Sequence, residues 1–532
     1  MNLAIHLLGL LTPVLVIHAF IIPLFKVVKS TKGPSIVALI ASVFAAVSTT
    51  ATFLEVNASG PLVYAYGGWP PHFGIVYEVD LFNGLIGVFT AWVMFAITLY
   101  SYWYSHHIDD PVWYYVLLIG LETGILGCLY TGDAFNLFVM LEVLGISAYG
   151  LVAYHRDRAE AVEAAAKYAL IGVVATTFYF TAVILLYAGF GTVNMAILAA
   201  YSRLLIRAPP SIKYISLFSV ALAIWVFTYK SAIFPNHFWL PDAHPEAPTP
   251  VSAALSGLVV NVGAYAIARF LYTIFGPGSL IQDYRGLVAI TLFALGVISG
   301  VVGALMMMAQ RDIKRLLAYS TICHMGLIYM GLSAGFLVGN EEAVHLAVAG
   351  ATVHIVAHGI SKALLFMASG VLIDAAGSRD LDQMRGVGRH YPLLSLSLVI
   401  GFLNLAGFIP FIGFYSKLLI ALGYLNGGLT LGAVLVIIIS ALSIPGYFKA
   451  ISAVLFGARK EPIQVVEKRW VEALLFAMAT SLLVLGVMFQ FTWSTYSNSA
   501  KMLITGTGVR EYISKILEKI PPELFPLLGG GP

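Results

Sequence analysis

The sequence contains very little cysteine and very little charge. Only Cys128 and Cys323 occur among 532 residues, both inside apolar runs, which argues against a disulfide framework or a cluster of metal thiolates. Charged residues make up 10% of the chain, and the net charge of +3 is too small to indicate a nucleic-acid partner. The chain has no glycine-rich phosphate loop, flavin motif or iron–sulfur motif. We therefore expect no cofactor in this chain, so any redox cofactors belong to partner subunits.

Apolar sequence fills most of the chain instead. Hydrophobic residues make up 60% of it, and the mean hydropathy is +0.90. Runs of about 20 apolar residues, long enough to cross a bilayer, recur from end to end. We count about fourteen, the first at 3–25 and the last at 470–493. The sequence thus predicts an all-α polytopic membrane protein of about fourteen transmembrane helices, with no inserted soluble domain.

Basic residues in the connecting loops predict the orientation in the membrane. Most of the loop Lys and Arg residues fall in five loops, and counting the spans puts all five on the same side of the membrane. These loops are 26–32, 155–158, 310–315, 379–389 and 459–469. The positive-inside rule makes this side cytoplasmic. One loop departs from the pattern, because Arg203, Arg207 and Lys213 come out on the external side. An even number of spans then puts both termini outside.

Lysines lie inside apolar runs at Lys230, Lys362 and Lys417. An ammonium ion at bilayer depth costs from about 3 to more than about 10 kcal/mol, so such residues normally face water or a partner. Several prolines follow Lys230 within 235–250, and Lys417 follows the Gly- and Pro-containing stretch 407–413. Backbone groups freed at such interruptions are tolerated only where protein or water satisfies them. We predict that spans 7 and 12 are broken helices.

Interruptions in both halves of the chain favour an inverted-repeat architecture. We divide the chain into N-terminal helices 1–3 (1–110), a first repeat of helices 4–8 (111–274), a second repeat of helices 9–13 (285–456), and helix 14 with an amphipathic C-terminal tail (457–532). Each repeat contains five helices, so the second begins from the opposite side of the membrane. If the halves share a fold, they must therefore be inverted.

Glu142 lies in the middle of the fifth run, with no basic residue beside it in the sequence. Burial alone would favour its neutral form, whereas a nearby ammonium would favour the carboxylate. Lys230 is the candidate partner. A Glu–Lys pair that can form and separate would push a proton onward, and a static buried ion pair is the alternative.

Histidines form the second candidate group. His324 lies in the tenth run, and His354, His358 and Lys362 follow one another at four-residue spacing on one face of the eleventh. Imidazole titrates near neutrality and exchanges protons at either ring nitrogen, so this stripe predicts part of a proton pathway. Helix-packing histidines and a zinc site are the alternatives. The metalloprotease Glu is missing and no nearby carboxylate or thiolate completes a ligand set, so we expect no metal.

Other ionisable residues lie near span ends or near the first break. They are Glu122, Asp133, Lys167, His237, Asp242 and His244. We treat them as candidates for an ion entrance or for the lining of a pathway. The three residues near the first break either line an aqueous mouth or cap a half-helix, and the sequence does not decide between these roles.

Four stretches carry a resemblance to a known family: GDAFNLFVMLEV (132–143), FPNHFWLPDAHPEAPTPVSAALSG (234–257), QRDIKRLLAYSTICHMG (310–326) and HIVAHGISKALLFMASG (354–370). The chain resembles the antiporter-like subunits shared by Mrp-type sodium/proton antiporters, respiratory complex I and membrane-bound hydrogenases. The stretch YAYGGWPPHFGIVYEVD (64–80) is more similar to the Mrp D-type and hydrogenase members.

The resemblance implies a proton-translocating subunit of a multisubunit complex in a prokaryotic plasma membrane. Its implied partners are other membrane subunits, H⁺, Na⁺ and lipid. It implies a Glu142–Lys230 pair and an exit-side role for Lys417. It also implies a central hydrophilic axis built from His324, His354, His358 and Lys362. Whether the complex is an oxidoreductase stays open, since the chain itself is expected to carry no redox chemistry.

Asn261 departs from the family pattern, because many relatives have a lysine or histidine at this place in the eighth helix. An amide forms hydrogen bonds but takes up no proton near neutral pH. Either water bridges Lys230 to the histidine stripe, or this half-channel conducts differently. Asn261 is also the feature that favours an alternative function, a non-conducting structural or quinone-site scaffold in a complex I-like oxidoreductase. A membrane metalloenzyme that uses His354 and His358 is a further alternative.

Overall fold

The computed structural model describes residues 3–205, 209–337, 340–457 and 469–520. The helices of the first half are α1 (Leu3–Ile21), α2 (Phe25–Val28), α3 (Gly33–Ser59), α4 (Leu81–Tyr104), α5 (Pro111–Tyr130), α6 (Ala134–Val152), α7 (Ala159–Phe190), α8 (Met195–Leu204), α9 (Pro210–Lys230), α10 (Trp239–Glu246), α11 (Thr249–Ala254) and α12 (Val260–Ala268). The π-helical segments Leu255–Val259 and Arg269–Ile274 extend α11 and α12 into one continuous rod.

The second half is helical in the same way. Its helices are α13 (Arg285–Ala309), α14 (Ile313–Leu337), α15 (Glu341–Ala376), α16 (Pro392–Ala406), α17 (Ile412–Asn426), α18 (Thr430–Leu455), α19 (Arg469–Val487), α20 (Phe489–Ile504) and α21 (Gly506–Leu517). Within the described residues, 13 helical stretches are long and apolar enough to cross a membrane. The predicted twelfth span is covered instead by the shorter helices α16 and α17. The prediction of an all-α polytopic membrane protein is confirmed.

Local sequence explains where several helices begin. The Asp80 carboxylate accepts the backbone N–H groups of Phe82 and Asn83, and the Asn83 side chain accepts the Asp80 N–H, so the two form a capping box for α4. Asn194 and Asn340 cap α8 and α15 with their side-chain oxygens, which accept backbone N–H groups of the first turn. Helices α5, α9 and α16 begin with proline, whose missing N–H costs nothing in the first turn.

A short β-hairpin, which the sequence did not predict, lies between α3 and α4. Its strands β1 (Leu62–Ala65) and β2 (Val76–Val79) pair antiparallel, with Leu62 opposite Val79. The apolar side of α21 packs with this hairpin and α8 in a small separate core. The amphipathic tail therefore covers a surface of its own chain within the described residues.

Three spans form the interior of the molecule. The rod Thr249–Ile274, α14 and α15 are almost entirely buried, and α4 and α5 are mostly buried. The other spans leave an apolar face exposed, as expected for contact with lipid or other membrane subunits. The helical path is interrupted between α9 and α10 and again between α16 and α17. The relation of the two halves as inverted repeats stays a prediction. Of the residues used to predict orientation, Arg207, Arg459, Lys460 and Lys468 lie outside the described residues.

Candidate functional site

The central histidines meet where α14 and α15 cross inside the molecule. His324 Nδ1 lies 2.9 Å from His354 Nε2, so the predicted proximity of these two side chains is present. His324 Nε2 lies 2.6 Å from the hydroxyl of Tyr447 on α18, and that hydroxyl lies 2.9 Å from Ser320 Oγ. All four residues are buried. Three helices therefore contribute to one continuous hydrogen-bonded chain.

The chain continues from His354 into α17. His354 Nδ1 lies 2.7 Å from Ser416 Oγ, and Ser416 Oγ donates to the Gly413 carbonyl oxygen at 2.8 Å. We call the run Ser320–Tyr447–His324–His354–Ser416 the central chain. It leads from α14 to the residue next to Lys417.

One carbonyl fixes the direction of every bond in the central chain. The Gly413 oxygen can only accept, so Ser416 donates its proton there and must accept from His354 Nδ1. A neutral His354 then accepts at Nε2 from His324 Nδ1, and a neutral His324 accepts at Nε2 from Tyr447. With neutral imidazoles, all donors of the central chain point from Ser320 toward Ser416.

The other two members of the stripe lie beside the central chain. His358 is fully buried, and neither of its ring nitrogens has a hydrogen-bond partner among the described residues. Its ring centroid lies 5.7 Å from that of His324. Lys362 donates from Nζ to the Leu317 carbonyl oxygen of α14 at 3.0 Å. The stripe thus follows α14 along its length, and His358 has two free nitrogens beside His324.

Lys417 forms hydrogen bonds across the interruption between α16 and α17. Its Nζ donates to the carbonyl oxygens of Leu405 and Ala406, at 2.6 and 3.1 Å. These carbonyls end α16, where the helix dipole and unpaired acceptors favour a positive charge. Gly407 follows with φ of +88°, and a Cβ there would lie 3.4 Å from Lys417 Nζ. Glycine therefore permits the close approach of the ammonium group.

Asn404 fastens the same interruption to α15. Its Oδ1 accepts the Gly413 N–H at 2.8 Å, and its Nδ2 donates to Ser361 Oγ at 2.7 Å and to the Ala357 carbonyl oxygen at 3.3 Å. Ala357 and Ser361 immediately precede His358 and Lys362 in the sequence. The broken region and the histidine stripe are thereby held in a fixed relation.

Lys230 is the last residue of α9 and is buried. Its Nζ has no hydrogen-bond partner among the described residues, and it lies 5.9 and 5.8 Å from the ring centroids of Tyr149 and Tyr229. Aromatic faces attract a cation but provide no site for its proton. The Lys230 ammonium is therefore the least satisfied of the three predicted lysines.

Glu142 is half-buried on α6 and does not form the predicted ion pair in this structure. No carboxylate–ammonium distance of 4.0 Å or less joins it to Lys230. Tyr149, which contacts Lys230, lies seven residues after Glu142 and hence on the same face of α6, about 10 Å along the axis. Glu142 thus lies on the same side of α6 as the residue that contacts Lys230, but about two turns away from it.

The interruption after Lys230 is satisfied by aromatic side chains. Trp239 donates from Nε1 to the Tyr229 carbonyl oxygen at 3.1 Å, and Tyr329 on α14 donates from its hydroxyl to the Phe227 carbonyl oxygen at 3.0 Å. The Tyr329 hydroxyl also lies 2.9 Å from Ser231 Oγ. The two carbonyl oxygens also accept the backbone N–H groups of Ser231 and Ala232, so the aromatic side chains add hydrogen bonds at a break where buried backbone groups have to be satisfied by protein or water.

Asn261 lies beside this junction, on α12. Its Nδ2 donates to the Gly257 carbonyl oxygen at 2.7 Å, and its buried Oδ1 has no partner among the described residues. A second contact between the halves joins Ser256 and Thr321, whose hydroxyl oxygens are 2.5 Å apart. These groups are hydroxyls and one amide, none of which takes up a proton near neutral pH.

A network of ion pairs lies at the predicted cytoplasmic end. Asp242 on α10 forms ion pairs with Lys167 at 3.2 Å and with Arg315 at 2.7 Å. The structure thus brings together two of the predicted candidates, Lys167 and Asp242. Arg379 bridges Glu246 and Asp312 at 2.9 and 2.7 Å. Burial raises the pKa of Asp312, and the Arg379 guanidinium opposes that shift. This network links α7, α10 and α14 around the first break.

The remaining predicted candidates lie apart from one another. Glu122 is buried on α5 and accepts from Ser42 Oγ at 2.6 Å, toward the N-terminal helices. Asp133 caps α6. His237 stacks on Phe234 at 5.5 Å, and His244 stacks on Phe366 at 4.7 Å.

Sequence reasoning missed four polar members of the site. They are Ser320, Asn404, Ser416 and Tyr447. Serine and asparagine side chains commonly bond to nearby backbone groups, so their presence in a helix gave no signal, and nothing in the sequence indicated the partner of Tyr447.

A helical membrane protein with a buried, hydrogen-bonded row of histidine, tyrosine and serine, and with lysines inside its spans, fits the class of ion-translocating membrane subunits. Comparison with known proteins specifies the family. The family described as NADH:quinone oxidoreductase/Mrp antiporter, transmembrane, matches residues 131–443, and the chain belongs to it.

Named relatives and one solved structure agree with this assignment. The chain is 33% identical to NADH-quinone oxidoreductase subunit N of Desulforudis audaxviator, over 80% of this chain and 83% of that protein. It is 32% identical to the D-type Na⁺/H⁺ antiporter subunit of Alkalihalophilus pseudofirmus, over 72% and 73%. A chain of the membrane-bound sulfane sulfur reductase, an archaeal respiratory membrane complex, superposes with a TM-score of 0.86 at 29% identity, covering 96% of this chain and 99% of that chain. The chain is thus an antiporter-like membrane subunit of the kind found in multisubunit complexes.

Proposed function

We propose that this subunit moves protons across the membrane along a route from Glu142 and Lys230, past Asn261, to the central chain and Lys417. The observation that carries the proposal is the single polarity of the central chain, in which each group after Ser320 has both a donor and an acceptor neighbour. A helix-packing role for these histidines would require no such continuous direction.

Lys230 is the proposed loading point of the first half. Its buried ammonium has no hydrogen-bond acceptor among the described residues, so a carboxylate that approached it would be attracted strongly. Glu142 lies about 10 Å along α6 from Tyr149, which contacts Lys230, so a displacement of α6 relative to α9 would change the separation of the carboxylate and the ammonium. Withdrawal of the carboxylate would lower the affinity of Lys230 for its proton and release it toward α14.

Water is the proposed carrier between Lys230 and the histidines. Asn261 Oδ1 is a buried acceptor without a partner among the described residues, and such groups commonly bind ordered water. His358 offers two further free ring nitrogens beside His324. Water between these groups would supply the step that the amide of Asn261 cannot make.

Lys417 is the proposed exit. The central chain ends at Ser416, and the ammonium of Lys417 is held by the carbonyl oxygens that end α16. We further propose that both termini face outward and that Na⁺ is exchanged for H⁺ with the help of partner membrane subunits. The name of the antiporter relative supports the exchange, and redox cofactors, if used, belong to those partners.

The decisive experiment measures transport in proteoliposomes that contain the whole complex. A pH-sensitive dye inside the vesicles reports proton movement, with Na⁺ present or absent. Lys230→Met and Glu142→Gln should each reduce transport at least tenfold, and Lys32→Met, an exposed lysine, is the matched control. Unchanged transport in both pathway variants would reject the route.

Asn261→Leu tests the link between the halves. Loss of transport with intact assembly is expected, because a leucine side chain cannot hold a bridging water. Full transport in this variant, together with full redox activity of the complex, would instead support a scaffold function.

A further inference from the structure

A cluster of three metal-ligating side chains lies outside the proposed pathway. His106 and His107 follow the end of α4, and Asp374 lies in the last turn of α15. Their ligand atoms lie within 4.8 Å of one another, a grouping that no other His, Cys, Asp or Glu residues of the described ranges share. His107 Nε2 is 2.9 Å and His106 Nε2 is 3.4 Å from the same oxygen, Asp374 Oδ2.

The protonation of His106 is set by its backbone partner. His106 Nδ1 lies 2.9 Å from the Trp103 carbonyl oxygen, which can only accept, so Nδ1 carries a proton. The Nε2 atom of a neutral His106 then presents a lone pair toward the Asp374 carboxylate. A metal ligand whose other ring nitrogen donates to a carbonyl is the arrangement that fixes imidazole for coordination.

Two neutral imidazoles do not both bond to this carboxylate unless a further cation is present, either a second proton on His106 or a metal ion. One divalent ion would satisfy both imidazoles and the carboxylate together. The Nε2 atoms of His106 and His107 both lie against Asp374 Oδ2, so they already face one space. The centroids of the two rings are 4.1 Å apart.

We propose that His106, His107 and Asp374 bind a divalent transition-metal ion of the zinc class, with water as the fourth ligand. Zinc accepts imidazole nitrogen and carboxylate oxygen at about 2.0–2.2 Å, which separates tetrahedral ligand atoms by about 3.3 Å. The His106–Asp374 distance of 3.4 Å already meets this value, and the His107–Asp374 distance of 2.9 Å must widen slightly. This site departs from our expectation, from the sequence alone, of no metal in this chain.

The bound ion would join two helices that already touch. Tyr100 on α4 donates to the Met367 carbonyl oxygen of α15 at 3.0 Å, about two turns before Asp374. The metal would fasten the ends of α4 and α15 on the predicted cytoplasmic side. Because α15 carries His354, His358 and Lys362, the ion would restrain the helix that holds the stripe.

The test uses the purified complex after chelator treatment, with Co²⁺ as a spectroscopic probe and Zn²⁺ as its competitor. Wild-type complex should bind one more Co²⁺ per chain than the His106→Gln/His107→Gln variant and show the visible absorption of tetrahedral cobalt. Asp374→Asn should weaken this binding at least tenfold. His390→Gln, an exposed histidine elsewhere on the same predicted side, should bind as wild type does.

Amide hydrogen exchange tests where a bound metal ion stabilises the chain. Zn²⁺ should slow amide exchange in residues 105–110 and 370–376 of wild type and leave both unchanged in the double histidine variant. The proposal fails if wild type shows no cobalt absorption, which would leave a proton-only ion pair. It also fails if the double variant keeps the same number of ions.

Discussion

Single hydroxyl groups decide whether the central chain is continuous. Tyr447 joins Ser320 to His324, with O···O and O···N distances of 2.9 and 2.6 Å. No other described group reaches His324 Nε2 within hydrogen-bond distance. Loss of one oxygen atom would therefore break the chain without a large change in packing.

We predict that Tyr447→Phe lowers proton transport at least tenfold while the complex still assembles. Phenylalanine keeps the ring contact with Phe402 but removes the donor to His324. Transport in proteoliposomes and the yield of assembled complex are the measurements. Tyr424→Phe is the control, because that buried hydroxyl donates to the Met330 carbonyl oxygen outside the central chain. Equal transport by both variants would contradict the prediction.

The titratable members of the site could be predicted from the sequence, whereas their contacts could not. Imidazole and ammonium groups are rare and costly in apolar runs, so His324, His354 and Lys417 are conspicuous. The distance between Glu142 and Lys230 depends on how α6 and α9 are each placed against α7. Residue type and spacing do not contain that information.

Each of the two interruptions holds a lysine ammonium group, but one lysine precedes its interruption in the sequence and the other follows it. Lys230 ends the helix before its break, whereas Lys417 lies in the helix after its break and reaches back to the end of α16. The two lysines therefore do not occupy equivalent sequence positions. What they share is a positive charge at the C-terminal end of a half-helix, where the dipole favours it.

We predict that Asn404→Leu destabilises the second interruption. The substitution removes the acceptor of the Gly413 N–H and the donor to Ser361, and one buried unsatisfied group costs about 1–3 kcal/mol. The unfolding midpoint of the purified complex should fall and transport should decrease. Ser397→Ala on the same helix is the control, since its hydroxyl bonds only to its own helix at Leu393. An unchanged unfolding midpoint in Asn404→Leu would show that the Asn404 contacts do not stabilise the second interruption.

Asp133, at the junction of α5 and α6, predicts a pH dependence of stability. Burial raises the pKa of Asp133 to about 6, and backbone N–H groups of Asn136 and Phe135 oppose the shift. The folded state therefore holds this proton more tightly than the unfolded state, whose pKa is near about 3.9. Stability from this group is present below about pH 4 and is lost as pH rises through about 6.

Asp133→Asn should remove this dependence and retain the cap of α6. We expect wild type, relative to the variant, to lose roughly 1–3 kcal/mol between about pH 4 and 7, measured from unfolding midpoints. Asp109→Asn, at an exposed carboxylate, is the control and should follow wild type. A parallel pH profile for Asp133→Asn would assign the dependence to other groups.

The orientation of the whole molecule can be tested by labelling. We predict that Phe73→Cys, in the exposed connection of the hairpin, reacts with a membrane-impermeant maleimide in intact cells. Arg311→Cys should react only after the membrane is permeabilised, because the positive-inside rule makes its loop cytoplasmic. The native Cys128 and Cys323 are buried and should stay unlabelled. The opposite pattern would reverse the predicted topology.

At the scale of the molecule, span number and fold class followed from apolar run length alone. The β-hairpin and the packing of α21 against it did not, because four-residue strands give too short a pattern and an amphipathic helix does not specify its partner. A run of about 20 apolar residues inside a bilayer has to form its backbone hydrogen bonds within itself, as a helix does. Apolar runs therefore predict membrane-spanning helices directly.

If protons cross the molecule by the proposed route, the fixed direction of the central chain makes that route one-way in its resting state. A proton taken up at Tyr447 would move toward Ser416, because every donor already points that way, and its passage would reverse each bond behind it. Ser416 would then need an acceptor beyond the Gly413 carbonyl, which can only accept a hydrogen bond. The reversed row could take up no second proton at Tyr447 until its donors pointed toward Ser416 again, so the proposed route would carry protons one at a time.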